Sequence, residues 1–171
     1  ENDHLASLKK LIEKAKNVPF HSARLKYEVH TLDNLQKIDV FRKSDLIELQ
    51  KKNLPFGNLN FKEISEFSHI YRSPGPIYDL DGYGTNWWRF ARALNAAGFN
   101  KEDIVQNCFS YHFTPAGMMF DEAAKILKCT VFPAGGENSD MQAEIMSEIN
   151  ATGYVGIPDF LKIVIEKAEK N

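Results

Sequence analysis

Apolar residues recur at helical spacing from the start of the chain, where Leu5, Leu8, Leu11, Ile12 and Ala15 are separated by Lys and Glu. That pattern predicts an amphipathic helix. A second helix is predicted over about residues 21–30, after a break at Pro19. A third starts at Ser44-Asp45-Leu46, with Ser44 as its expected cap and Leu46, Ile47 and Leu49 as its apolar face. Up to about residue 60 the chain therefore reads as a helical lead-in.

From Lys62 onward the period changes. Short apolar runs predict strands at Ile64, Phe67 and Ile70 ending at Tyr71, at Ile104-Val105 with Cys108-Phe109, at Thr130-Val131-Phe132, and at Tyr154-Val155-Gly156-Ile157. Helical patterns fall between and after them, over residues 86–97, 117–127, 140–149 and 159–170. Strands alternating with helices of this length predict an α/β fold with about four parallel strands and flanking helices. The expected division is a helical lead-in over residues 1–60 and a βαβ-type subdomain over residues 61–171.

Composition narrows the class. With 43% apolar and 26% charged residues the chain can bury a core, which excludes a disordered or fibrous protein. A formal net charge of −2 lacks the basic excess of a dedicated nucleic-acid binder. No apolar run approaches a membrane span, and Glu1-Asn2-Asp3-His4 has no basic region followed by an apolar one, so the expected location is cytoplasmic. Without an initiator Met, the chain reads as processed or as a portion of something longer. Cys108 and Cys129 sit in apolar surroundings without Cys-x-x-Cys spacing and read as reduced core thiols. The histidines show no ligand spacing, so no metal is expected.

In a parallel sheet, ligands gather at the carboxyl ends of the strands. Three segments lie there: residues 73–79, 110–117 and 133–138. At these segments the chain resembles the phenylacetate-CoA ligase branch of the adenylate-forming enzymes. Asn17-Val18-Pro19-Phe20 resembles that family's N-V-P-F-Y, and Asp103-Ile104-Val105-Gln106-Asn107-Cys108-Phe109-Ser110-Tyr111 resembles D-x-V-x-N-x-Y-G-Y. Pro133-Ala134-Gly135-Gly136-Glu137-Asn138 is similar to P-A-G-G-G-N, and Gly156-Ile157-Pro158-Asp159 to G-T-P-S. These matches follow in order over nearly the whole chain.

The resemblance implies an enzyme that joins a carboxylic acid, here expected to be an aryl acid, to AMP using ATP and Mg2+. The acyl group then passes to coenzyme A. It also implies that these residues form the N-terminal portion of that body. Its expected partners are the acid, the rest of the ligase chain and its C-terminal domain. The fragment alone is expected to be inactive, to hold no cofactor tightly, and to self-associate through apolar surface that the remainder would cover.

By position, Phe109, Tyr111, His112, Thr114 and Gly117 fall on the family's acid pocket, and Gly135 and Gly136 on its substrate-facing loop. Phe109 and Tyr111 also read as core, His112 as an ordinary surface residue, and the glycine pair as a plain turn. Ser73, Gly75 and Tyr78 occupy the phosphate-loop position, where the family reads S-S-G-T-T-G-K-P. Here Pro74 and Pro76 lack N–H donors, and Asp79 adds negative charge. The segment therefore reads either as an altered phosphate loop or as a rigid Pro-Gly turn. The alternative function is a non-catalytic or repurposed protein, a binding or assembly module on the same fold.

Overall fold

The computed structural model describes residues 2–84 and 86–170. Contacts divide the chain into two compact units, one comprising residues 1–67 and 72–79, the other residues 68–71 and 80–171.

The first unit opens with helix α1 (Asn2–Ala15), which buries Ile12. Helix α2 (Pro19–Arg24) follows. Pro19 starts this helix instead of breaking the chain, because proline's fixed φ suits the first helical position and its missing N–H is not needed there. The helix ends at Arg24, well short of residue 30. Leu25 leaves helical geometry, and the Arg24 guanidinium lies over the rings of Phe20 and Phe41 at 5.4 and 5.3 Å.

A 3-10 turn (Leu32–Lys37) leads to helix α3 (Lys43–Lys52). Ser44 is not its cap. The chain enters the helix at Arg42, whose N–H donates to Asp45 Oδ2 at 3.1 Å. Ile12, Val18, Val29, Phe56, Phe67 and Ile77 are the buried apolar residues of this unit.

Strand β1 (Phe67–Ser73) pairs with β2 (Ile77–Gly82) in a two-stranded sheet. Ile64 lies before it in a 3-10 turn, Ile64–Glu66. With three residues between the strands, the pair can only be a hairpin, since parallel strands need a long crossover. The first predicted strand thus belongs to a separate sheet, and the expected loop at residues 73–79 runs into β2. The periodicity reading missed β2, because Ile77-Tyr78-Asp79-Leu80-Asp81-Gly82 follows two prolines and carries two aspartates.

The second unit is built on three parallel strands, β3 (Ile104–Asn107), β4 (Thr130–Pro133) and β5 (Gly153–Val155), in the order β4-β3-β5. Val105 pairs with Val131 on one side and Gly153 on the other. Helix α4 (Ala91–Ala96) precedes the sheet. It starts later than expected, since Asn86 and Arg89 take φ near +61° and interrupt the turn. Helices α5 (Ala116–Ile126), α6 (Ser139–Glu148) and α7 (Pro158–Ala168) follow β3, β4 and β5 in turn.

Central β3 is buried along Val105, Gln106 and Asn107, as expected of a strand flanked on both edges and covered by helices. Around it Ala91, Leu94, Ala123, Ala124, Cys129 and Val155 form the core, with Phe90, Phe99 and Phe120 packed against them. Both cysteines are buried thiols.

Candidate functional site

The parallel strands end in two loops that one side chain ties together. Asn107, the last residue of β3, is 1% exposed. Its backbone carbonyl accepts the N–H groups of Ala134 and Gly135, each at 3.0 Å, which pins the loop after β4 to the end of β3. Its side-chain Nδ2 donates to the Tyr111 hydroxyl at 2.8 Å and to the Gly117 carbonyl at 2.9 Å, which pins the loop after β3 to the first turn of α5. A buried asparagine with its hydrogen bonds filled holds this geometry firmly.

Tyr111 donates in turn to Asp121 Oδ1 at 3.3 Å. Burial, and then the Asp121 carboxylate, push its ionisation far above the ordinary phenol range, so it remains a neutral donor. Gly117 is a glycine for a steric reason. A Cβ there would lie 2.5 Å from the Ser110 carbonyl oxygen, which accepts the Gly117 N–H at 2.9 Å.

Phe109 is half-buried and stacks on Phe120, with 5.0 Å between centroids and 13° between planes. His112 and neighbouring Phe113 are exposed, and Phe113 has a φ of +62°. Thr114 is half-buried, its N–H on the His112 carbonyl at 2.8 Å. The structure thus brings Tyr111 and Gly117 together through Asn107, leaves His112 at the surface and packs Phe109 against a core aromatic.

The loop after β4 needs its first glycine for conformation, since Gly135 has a φ of +72° with open space where a Cβ would stand. Gly136 is exposed. Gln142 of α6, 3% exposed, fastens this loop from behind. Its Nε2 donates to the carbonyls of Gly135 (2.8 Å) and Glu137 (2.7 Å). Its Oε1 accepts from Cys108 Sγ (2.9 Å) and Gln106 Nε2 (3.1 Å). Burial, as the largest cause, pushes the Cys108 thiol up to about 11. Asn107, Gln106 and Gln142 had no role in the periodicity reading. The cues in the sequence are polar residues at positions that the strand and helix patterns mark as buried and, for Asn107, the Asn of the D-x-V-x-N motif.

The hairpin carries the third segment. Ser73 ends β1, Gly75 is exposed in the turn and Tyr78 lies in β2. The Tyr78 N–H donates to Gln50 Oε1 and its carbonyl accepts from Gln50 Nε2, both at 2.8 Å, so this peptide is fully engaged by α3. The Arg72 guanidinium lies over the Tyr78 ring at 5.7 Å, and Ser73 Oγ donates to Asp79 Oδ2 at 3.3 Å. With two prolines in the turn, donors for a phosphate are scarce here.

Among the described residues, no group of three or more His, Cys, Asp and Glu is placed to hold a metal ion, and no helix is long and apolar enough to cross a membrane.

No family model matches the chain. It is 22% identical over 153 residues to phenylacetate-coenzyme A ligase of Aromatoleum evansii, covering 84% of this chain and 33% of that protein. It is 24% identical over 167 residues to the enzyme of that name from Pseudomonas putida, covering 90% of this chain and 37% of that protein. An open conformation of 2-hydroxyisobutyryl-CoA ligase, in complex with 2-HIB-AMP and CoA, superposes with a TM-score of 0.83 at 20% identity, covering 97% of this chain and 39% of the other. The same ligase in its postadenylation state gives 0.82 at 21% identity. The resemblance read from the motifs is thus shown, and the fold is that of the N-terminal part of an adenylate-forming CoA ligase. The chain spans about a third of the length of the curated relatives it matches.

Proposed function

We propose that these 171 residues are the N-terminal portion of an ATP-dependent carboxylic acid:CoA ligase that makes an acyl-adenylate and then an acyl-CoA thioester, with an aryl acid as substrate. The observation that carries this reading is the sequence likeness to two phenylacetate-coenzyme A ligases over 84% and 90% of the chain. The geometry supports it: Asn107 and Gln142 hold two loops at the carboxyl ends of the strands, where an α/β sheet presents its ligand.

In this reading Phe109, Tyr111, His112, Thr114 and Gly117 contribute to the acid pocket, and Gly135 and Gly136 face the substrate. ATP, Mg2+ and coenzyme A are co-substrates of the full-length parent, which works in the cytoplasm. The fragment alone is inactive, because stabilising the developing charges needs donors from loops beyond this third of the fold. Exposed Met141, Ile163 and Ile165 on α6 and α7 then favour self-association of the isolated piece. The test is acid-dependent pyrophosphate release by the full-length parent across aryl and short acyl acids. Release with none of them, at saturating Mg-ATP, would overturn the ligase reading.

One observation favours a second reading. The hairpin at residues 73–79 spends the Ser73 hydroxyl on Asp79 and the Tyr78 peptide on Gln50, which fits a repurposed, non-catalytic binding or assembly module. Tight binding of Mg-ATP by the full-length parent, lost on altering Ser73 or Tyr78, would rule this out.

A further inference from the structure

Within the second unit, a cleft of about 470 Å³ opens beside the base of the hairpin and the outer face of α5. That volume falls in the range of small-molecule sites. Two indoles, Trp87 and Trp88, form its aromatic wall. Trp87, 39% exposed as a residue, packs on Gly82, where a Cβ would stand 2.5 Å from its indole ring. Trp88 packs on Tyr71 with 6.4 Å between ring centroids.

Three acidic residues line the cleft as well: Asp81, Asp121 and Glu122. Asp81 is held in place by the hydroxyls of Ser68 and Tyr71 and by His69 Nδ1 at 3.0 Å. Glu122 Oε1 accepts the Asn86 N–H at 2.6 Å. Against them stand Lys125, paired with Asp121, and His69, on Asp81, which leaves Glu122 as the carboxylate without a basic side chain beside it among the lining residues.

Fixed negative charge beside an exposed indole, here Trp87, is the chemistry that recognises an organic cation, through Coulomb attraction and cation–π contact together. It is wrong for a phosphate or a carboxylate. We infer that this cleft binds a small organic cation, a protonated amine carried on an aromatic or aliphatic body, with Glu122 facing the ammonium, buried Asp81 adding negative charge behind it, and Trp87 and Trp88 lining the apolar part. This site differs in charge preference from any acid or nucleotide site of the proposed ligase, and stands or falls independently of that reading.

The chain provides its own reporter, because Trp87 and Trp88 are its only tryptophans. Titration of the 171-residue chain with phenethylammonium, followed by tryptophan emission, should give a saturable change. Phenethyl alcohol and phenylacetate, of similar size but neutral and anionic, should give none. Glu122→Gln keeps an acceptor for the Asn86 N–H and should weaken the amine about fivefold or more. Trp87→Phe should weaken it as well, with Trp88 still reporting. No saturable change with the amine at millimolar concentration overturns the inference, as does an alcohol or acid that titrates as well as the amine. Unchanged amine affinity in both folded variants would also overturn it.

Discussion

Gln142 on α6 donates through Nε2 to the carbonyl oxygen of Gly135, seven residues earlier, at 2.8 Å. From the same amide it reaches Glu137, Cys108 and Gln106, so one buried side chain joins the loop after β4 to the end of β3. The candidate site is therefore held from beneath by polar groups.

Replacing Gln142 with Leu keeps the bulk and removes every one of these bonds, taking away the partner of the buried Cys108 thiol and of the Gly135 carbonyl. We expect a loss of about 3 kcal/mol, since buried groups left unpaired are costly. Urea unfolding of the two proteins measures this. A change within about 0.5 kcal/mol would show that the clasp contributes nothing to stability.

Gly117 and Gly136 should respond differently to alanine. At Gly117 the new Cβ would meet the Ser110 carbonyl at 2.5 Å, backbone against side chain, with no flexible atom to give way. The gain in helix propensity, about 1 kcal/mol, is smaller than the cost of forcing α5 off that carbonyl, so a net loss of about 2 kcal/mol is expected. At Gly136 the nearest atom would be 3.6 Å away, an ordinary contact, and the variant should match the parent. Thermal unfolding distinguishes them. Equal midpoints would contradict the packing argument.

Burial of both cysteines predicts that a thiol reagent at pH near 8 labels the native chain only as fast as it opens, while both thiols react readily in denaturant. The sign of the pH dependence follows. Burial raises Cys108 from 9.0 to about 11, so the unfolded chain loses its thiol proton first. This contribution is intact below pH about 9 and is lost as pH climbs towards 11, with Tyr154, raised from 10.0 to about 12, acting in the same direction between those values. Denaturant midpoints measured across this range should fall. A flat profile, or prompt labelling of the folded chain, would refute the assignment.

In the first unit, Gln50 satisfies both backbone groups of Tyr78 at 2.8 Å while only 4% exposed. Gln50→Leu should cost about 2 to 3 kcal/mol and speed hydrogen exchange at the Tyr78 amide. Unaltered exchange at that amide would show that the Gln50 contact does not protect it.

Local pattern alone was enough to place α1, α5, α6 and α7 and the parallel strands β3, β4 and β5, because burial on one side of a helix or both sides of a strand leaves a periodic trace. The order of its motifs also carried the resemblance to CoA ligases, which the comparisons bear out. Tertiary structure decided the rest. The Ser73–Asp79 segment became part of a hairpin because β2 finds its partners in β1 and in Gln50, 28 residues away from Tyr78. Helices α2 and α4 came out shorter than their apolar patterns suggest, because Leu25, Asn86 and Arg89 adopt non-helical backbone angles. Asn107, Gln106 and Gln142 became the support of the candidate site through bonds that span up to 36 residues, whose partners local pattern does not name. A hydrophobic residue declares its burial by its own chemistry. A buried amide is stable only when a distant partner arrives, and that arrival is a property of the fold.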